Sequence, residues 1–351
     1  MAQTVNLHTK YHAELVKAYN YSSQLAGKTS TEFSWSGVNT IVLTNLLTDP
    51  LNNYNRTAAG NRYGTPTEVA DAQQTLTLRM DRSYTKTVDK GNYQESQFLR
   101  TGAAVTKAYM NERVAPEFEQ HVLSEAAKNA GKTVVASAAL TKDNIIEALV
   151  NIEVAFDDAR VPKENRYVAL LNSSVALIRQ SLTNLDNVTN RMLIKGIVGK
   201  FGTLNIMGYS PSDMPAGALA VAWHRDSVVA PRTIYDAKVH NDPPQISGLL
   251  VEGRYRYDAF VVGARCDGVV VLALAANKCT APTITKGTTT TTIAAGTGET
   301  IYYTVDGSDP RYSNSAQTYS AAITNPAAGD VIRAVAKANG KFVSDLAALK
   351  F

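Results

Sequence analysis

The chain has 351 residues, 44% hydrophobic and 19% charged, which excludes an intrinsically disordered protein and points to two domains, because one compact core rarely takes so many residues. Its net charge of +4, from 35 basic and 31 acidic side chains, is too small to argue for nucleic acid by itself. No apolar run approaches the roughly 20 residues a membrane helix needs, the opening "MAQTVNLHTKYHAELVKAYN" has no signal-peptide core, and Cys266 and Cys279 read as reduced structural thiols of a protein made and used in a cytoplasm.

Residues 1–30 read as a polar arm with one short helix over residues 12–19. From Thr31 the pattern is strand, with Phe33 and Trp35 on one face and Val38 to Leu43 following Gly37. Residues 44–72, rich in Asn, Thr, Gly and Pro, form a long loop carrying Tyr54, Arg56, Arg62 and Tyr63. Then "LTLRMDRSYTKTV" alternates, with Leu76, Leu78, Met80, Tyr84 and Val88 on one side. This predicts a strand of about 13 residues reaching about 40 Å, paired with residues 33–43 as a projecting arm. An isolated ribbon is marginal in water, so the arm expects a neighbouring molecule to lie on. Arg56 and Arg62 could touch phosphate. At the tip of such an arm the better reading is an interface between subunits made by Arg56, Arg62, Tyr63, Leu78, Met80 and Tyr84, since Arg and Tyr are enriched in interface cores.

Apolar residues spaced by three, four or seven from Phe98 to Ala126 predict a long helix over residues 95–130, with Pro116 kinking it or opening its second half, and Gly131 as its stop. A second helix is predicted from Thr141 through Val150. "RYVALL", "ALAVAWH" and "LLVEGRYRYDAFVVGARCDGVVVLA" read as strands, the last as a hairpin turning at Asp267-Gly268. The irregular interleaving of helices and strands argues α+β and not a doubly wound sheet. Residues 281–351, with 6 basic and 5 acidic side chains, change character to short strands with Asn339-Gly340 as a hairpin turn, a small β-sandwich.

No catalytic, cofactor or metal site is predicted. The two "GKT" runs at Gly27 and Gly131 lack the second glycine of a phosphate loop. His8 and His12 have metal-binding spacing but no third ligand. His224-Arg225-Asp226 reads as a charged turn at a strand end, and the adjacent Asp157 and Asp158 cannot face each other on a helix. There is no Gly-x-Ser-x-Gly elbow and no His-Glu-x-x-His.

The order of polar arm, extended hairpin, long helix and α+β domain resembles the major capsid proteins of tailed bacteriophages, the Hong Kong 97-type fold. The resemblance covers residues 1 to about 279. It implies an N-arm over 1–30 and a capsid core over 31–279. Within the core it implies an E-loop at about 31–93, a P-domain spine helix at about 95–130, an A-domain at about 135–250 and P-domain return strands at about 249–275. "IYYTVDGSDPRYS" and "VIRAVAKANGKFVSDLA" are similar to the small immunoglobulin-like β-sandwich at the C-terminus of chitobiases and related hexosaminidases, here residues 281–351, a domain without catalytic function.

Together these resemblances imply a non-enzymatic, cofactor-free shell subunit. It would assemble with itself into pentamers and hexamers around double-stranded DNA held without sequence specificity, and meet portal, scaffolding or decoration proteins but no membrane. Its place would be the virion, after assembly in a host bacterial cytoplasm. The module would be displayed outside. The alternative is a carbohydrate- or cell-surface-adhering protein using the module, with Tyr302, Tyr312 and Tyr319 beside Asp306 and Asp309 as the sugar contact. Against that stands the plain reading in which Ile301, Tyr303 and Val305 face the module's core and the other tyrosines cover its edges. Two further expectations are that no prodomain is removed and that a cut after Cys279, where few contacts should cross, leaves an assembly-competent core.

Overall fold

The computed structural model describes residues 23–35, 38–48, 51–64, 66, 68–95, 101–181 and 199–351. The helix predicted over 12–19, with His8 and His12, lies outside them. Two units are built from interleaved segments of these residues, the first from those within 23–24, 79–119 and 232–257, the second from those within 25–78, 120–231 and 258–351.

In chain order, β1 (Thr40–Leu46) and β2 (Asp71–Thr77) form an antiparallel ribbon, followed by β3 (Met80–Asp89) and α1 (Lys90–Glu95). Then come α2 (Gly102–Tyr109), a π-helical turn (Met110–Val114), α3 (Ala115–Lys128), β4 (Lys132–Ala136), α4 (Ile145–Asp158), β5 (Arg166–Leu171) and α5 (Asn172–Ser181). Strands β6 (Lys200–Phe201), β7 (Leu204–Tyr209), β8 (Ala218–His224), β9 (Val228–Val229), β10 (Arg232–Asn241), β11 (Gly248–Tyr257), β12 (Phe260–Val261) and β13 (Val269–Leu274) follow. The C-terminal part contains β14 (Thr283–Lys286), β15 (Thr290–Ala294), β16 (Thr300–Thr304), β17 (Gln317–Thr318), β18 (Ile323–Thr324), β19 (Val331–Lys337) and β20 (Ala347–Lys350).

The second unit is organised by a six-stranded mixed sheet, order β4-β13-β8-β5-β7-β6. Its inner strands are continuous apolar runs, "VVVLAL" in β13 and "ALAVAW" in β8, as strands buried on both faces must be. On α4, Ile145, Leu149, Ile152 and Phe156 recur at helical spacing and pack with Val168, Leu170, Ala220 and Leu272 of the sheet. Arg166, fully buried at the start of β5, is matched on all sides: Nη2 to Asp157 Oδ1 at 2.7 Å, Nε to the Pro162 carbonyl at 2.8 Å and Nη1 to Thr203 at 3.1 Å. The Arg166 hydrogen bond holds the Asp157 carboxyl below its ordinary range, so this aspartate anchors a strand and takes part in no carboxylate pair.

The first unit holds the antiparallel sheet β10-β11-β3. Paired positions place Met80, Tyr84 and Val88 on the same face as Tyr257, Gly253 and Leu249. Tyr84 stacks on Tyr109 with centroids 4.5 Å apart, and Phe118 meets Tyr257 edge-on at 5.4 Å, so the helix lies on this face. Thr101 caps α2, its Oγ1 accepting from the Ala104 amide at 3.1 Å. Pro116 has no N–H to give the carbonyl one turn back; it stands in the first turn of α3, directly after the π turn, so of the two expectations it opens the second half of the helix.

Four expectations are corrected. The predicted 13-residue strand is two strands, because the chain changes partner at Leu78-Arg79: β2 pairs with β1, and β3 pairs with β11. The predicted hairpin at Asp267-Gly268 does not exist. β11 turns back onto β10 through residues 242–247, where Asp242 Oδ1 accepts from the Gly248 amide at 2.9 Å, and β13 sits in the other sheet. Asn339-Gly340 does turn the chain between the antiparallel β19 and β20, the Lys341 amide donating to the Ala338 carbonyl at 3.3 Å, but it is no tight hairpin, since residues 338–346 separate the two strands. Nor does Gly131 stop α3 through a left-handed turn; a Cβ there would lie 2.1 Å from the Cys266 carbonyl oxygen, so it is a place of backbone contact. Gly131→Ala should therefore destabilise by about 1–3 kcal/mol, an overpacking cost measurable by chemical denaturation.

Residues 281–351 form two sheets, β14-β15-β18 and β17-β16-β19-β20. Ile293, Ile301, Ile332 and Ala334 fill the space between them, with Ile284, Tyr303, Tyr319 and Ile323 around the edge. Ile301 and Tyr303 face this core as the plain reading has it, while Val305 is exposed.

Candidate functional site

Two surfaces follow from these elements: the ribbon with its loop, and the C-terminal module where it meets the sheet domain. The ribbon is anchored at its root. Trp35, Leu76 and Leu78 are buried with Ile41, Leu43 and Phe260, and the Trp35 and Phe260 rings stack at 5.4 Å. The far end is the opposite. Leu51 is 100% exposed and Tyr63 83%, with Leu46, Tyr54 and Val69 also open to solvent. The loop nevertheless has internal order: the Asn55 amide donates to the Arg62 carbonyl at 2.9 Å, the Arg62 side chain returns to the Ala58 carbonyl at 3.0 Å, and Tyr54 and Tyr63 meet edge-on at 5.0 Å. Five apolar side chains held open on an ordered loop are what a protein partner covers.

The residues singled out from the sequence therefore separate. Arg56, Arg62 and Tyr63 share the exposed loop. Leu78 is 5% exposed and packs inside its own chain, so it offers no side chain to a neighbour; Tyr84, half-buried, stacks on Tyr109, and Met80 is half-buried as well. Leu51, Leu46 and Val69 carry the exposed apolar surface and were missed, because a sequence pattern does not show which loop residues lack cover.

The module is fastened to the sheet domain, correcting the expectation of few contacts across Cys279. The Cys279 amide donates to the Phe342 carbonyl at 2.9 Å, the Phe342 amide to the Asn277 carbonyl at 2.7 Å, and Lys278 Nζ reaches the Thr133 carbonyl at 2.8 Å and Asp345 at 2.6 Å. Arg311, with a side chain 4% exposed, pairs with Asp309 at 2.6 Å and donates to the carbonyls of Ala130 and Gly131. The Tyr312 hydroxyl donates to the Asn129 carbonyl at 2.6 Å, and burial raises its phenol well above the ordinary range. Burial also pushes the neighbouring Cys266 thiol up to about 12, against the pull of Arg311, so it is a protonated and unreactive packing group.

The five residues proposed for sugar do not form one surface. Tyr302 and Tyr303 are consecutive in β16 and so point to opposite faces; Tyr319 packs with Tyr303 on the core side, and Tyr302 lies under Lys337 at 5.5 Å. Asp309 is taken by Arg311. Burial opposes ionisation of Asp306, but hydrogen bonds from Ser308 and Ser315 outweigh it and hold the carboxyl below its usual range.

A cleft of about 740 Å³ lies among residues 27–32, 159–162, 224–227 and 264–268. His224 in its wall accepts from the Asp226 amide at 3.3 Å, and burial lowers its basicity. Asp226 is paired with Arg225 and Glu32 with Arg265, so the cleft presents salt bridges. Among the described residues no group of three metal-ligating side chains occurs, and no helix is long and apolar enough to cross a membrane.

A structure from Mycobacterium phage Che8 matches with a TM-score of 0.65 and 18% identity, over 77% of this chain and 98% of that one. The capsid structure of the cyanophage P-SCSP1u matches at 0.62 and 12% identity, over 76% and 93%, and the mature capsid of bacteriophage PhiM1 at 0.59 and 14%, over 77% and 93%. The chain shares its fold with phage capsid structures. Residues 290–351 match the family described as Fn3 associated. No curated protein matches the chain in sequence.

Proposed function

We propose that the chain is a major capsid protein, a structural subunit that self-assembles into the icosahedral shell of a double-stranded DNA phage. One observation carries this: capsid structures are matched over 93% of their own length by about three quarters of this chain. In that reading the β1–β2 ribbon is the E-loop, the α2–α3 helix is the spine of the P-domain, and β10, β11 and β3 are the P-domain sheet. The exposed loop with Leu51, Arg56, Arg62 and Tyr63 contacts the next subunit in pentamers and hexamers. DNA without sequence preference and portal, scaffolding or decoration proteins are the further partners, in a virion assembled in the host bacterial cytoplasm. The role is structural and not catalytic. The last 71 residues are read as an immunoglobulin-like module of the chitobiase type on the shell's outer face. Glycan adhesion through it has less support, since Asp309 and the Tyr312 hydroxyl are already engaged within the chain.

Electron microscopy of the purified protein tests the proposal, with closed particles or capsomer rings expected. A double variant, Leu51→Asp with Tyr63→Asp, should abolish those particles and leave the melting temperature unchanged, because both side chains are solvated in the free subunit and charge is excluded only from the assembled contact. Normal particles from that variant would remove the loop from the interface.

A further inference from the structure

We infer that the C-terminal module has a function inside the subunit: it clamps the root of the β1–β2 ribbon by supplying one residue, Asn314, to the ribbon's open edge. The ribbon has only two strands, so β2 pairs with β1 on one side and leaves main-chain groups unpaired on the other. The Gln73 carbonyl and the Thr75 N–H both point to that side, since alternate residues of a strand share a direction. A parallel neighbour would meet them with one residue, donating its N–H to the first and offering its carbonyl to the second. Asn314 does this with a substitution. Its amide donates to the Gln73 carbonyl at 2.9 Å, and its side-chain Oδ1, in place of a main-chain carbonyl, accepts from the Thr75 N–H at 3.2 Å. Its Nδ2 then donates to Thr75 Oγ1 at 2.8 Å.

The residue between is held from the other direction. Gln74 Nε2 donates to the Val261 carbonyl at 2.9 Å, and its Oε1 accepts from the Gly263 amide at 2.8 Å. Three consecutive residues of β2 are thus fixed. Asn314 can act as a clamp because its own place is fixed: Tyr312, two residues before it, is bonded to Asn129, and the Ser313 amide donates to the Asp309 carbonyl at 3.0 Å. Gly263 permits the approach, as a Cβ there would stand 2.8 Å from the Tyr312 Cβ. An open strand edge is also a template for unwanted pairing, and one asparagine closes it.

Amide hydrogen exchange on the unassembled full chain tests the clamp, so its failure and the failure of the shell reading are separate results. In Asn314→Ala, peptides covering residues 71–77 should exchange about tenfold faster, the loss of two to three hydrogen bonds, while peptides covering β19 keep their rate. Asn314→Asp, whose carboxylate still accepts from both the Thr75 N–H and hydroxyl, should stay close to the parent. Unchanged exchange over 71–77 in Asn314→Ala overturns the inference. Equal acceleration in β19 overturns it too, because Asn314 would then be a stabiliser of the module alone.

Discussion

Replacing Arg311 with methionine is expected to lower stability by about 3–5 kcal/mol, the usual consequence of removing one partner from a buried ion pair. Asp309 would keep a carboxylate only 17% exposed without its ion-pair partner, and the carbonyls of Ala130 and Gly131 would lose their charged donor. Methionine retains much of the apolar stem, so the loss is electrostatic more than volumetric. Adding Asp309→Leu to the same chain should restore a large part of the stability, since two apolar groups tolerate that site better than one stranded charge. Denaturant titrations of both single variants and the double give the coupling directly. A single variant as stable as the parent would mean the module is held by its other contacts. For the same reason a fragment ending at Cys279 is expected to be poorly soluble, contrary to what the shift in composition at that point suggests.

Leu78→Asp is expected to cost 4 kcal/mol or more, on the order of a buried Leu→Ala change with an unsolvated charge added. Leu78 sits in an apolar cluster with Trp35, Leu76 and Phe260. The variant should lose thermal stability before assembly is ever attempted. Met80→Asp, on the half-buried side of β3, should be the milder of the two. If Leu78→Asp melted with the parent and only failed to form particles, the ribbon root would be an intersubunit contact after all.

These two residues show how far the sequence could be read. From Leu76 to Val88 the apolar side chains Leu76, Leu78, Met80, Tyr84 and Val88 all keep one parity, and such alternation reports only that a chain is extended. It is blind to a change of partner, which is what happens at Leu78-Arg79. The same blindness joined β11 to β13, two apolar strands close in sequence that pair with different neighbours. Where periodicity and local chemistry coincide, the reading succeeds: Pro116 opens the helix it interrupts, and Ile301 and Tyr303 face the module core. Arg311 could not be placed as a buried anchor, because an arginine beside Asp309-Pro310 in a turn looks like any solvated loop charge. Its role depends on carbonyls about 180 residues away.

The pairing of β3 with β11 bears on how the chain is made. Thr85 and Glu252, opposite each other in that pair, are 167 positions apart. At a synthesis rate of about 5–20 residues per second, β3 leaves the ribosome some 8–30 s before the strand that completes it. Through that interval it is an extended segment with no partner, able to pair with the same segment of another nascent chain. Asp81, Arg82, Lys86 and Asp89 punctuate it with charge, and such residues interrupt edge-to-edge association during translation. The bidentate contact of Arg254 with Asp81, at 3.0 and 2.7 Å, later puts one of those guards to use in the finished sheet.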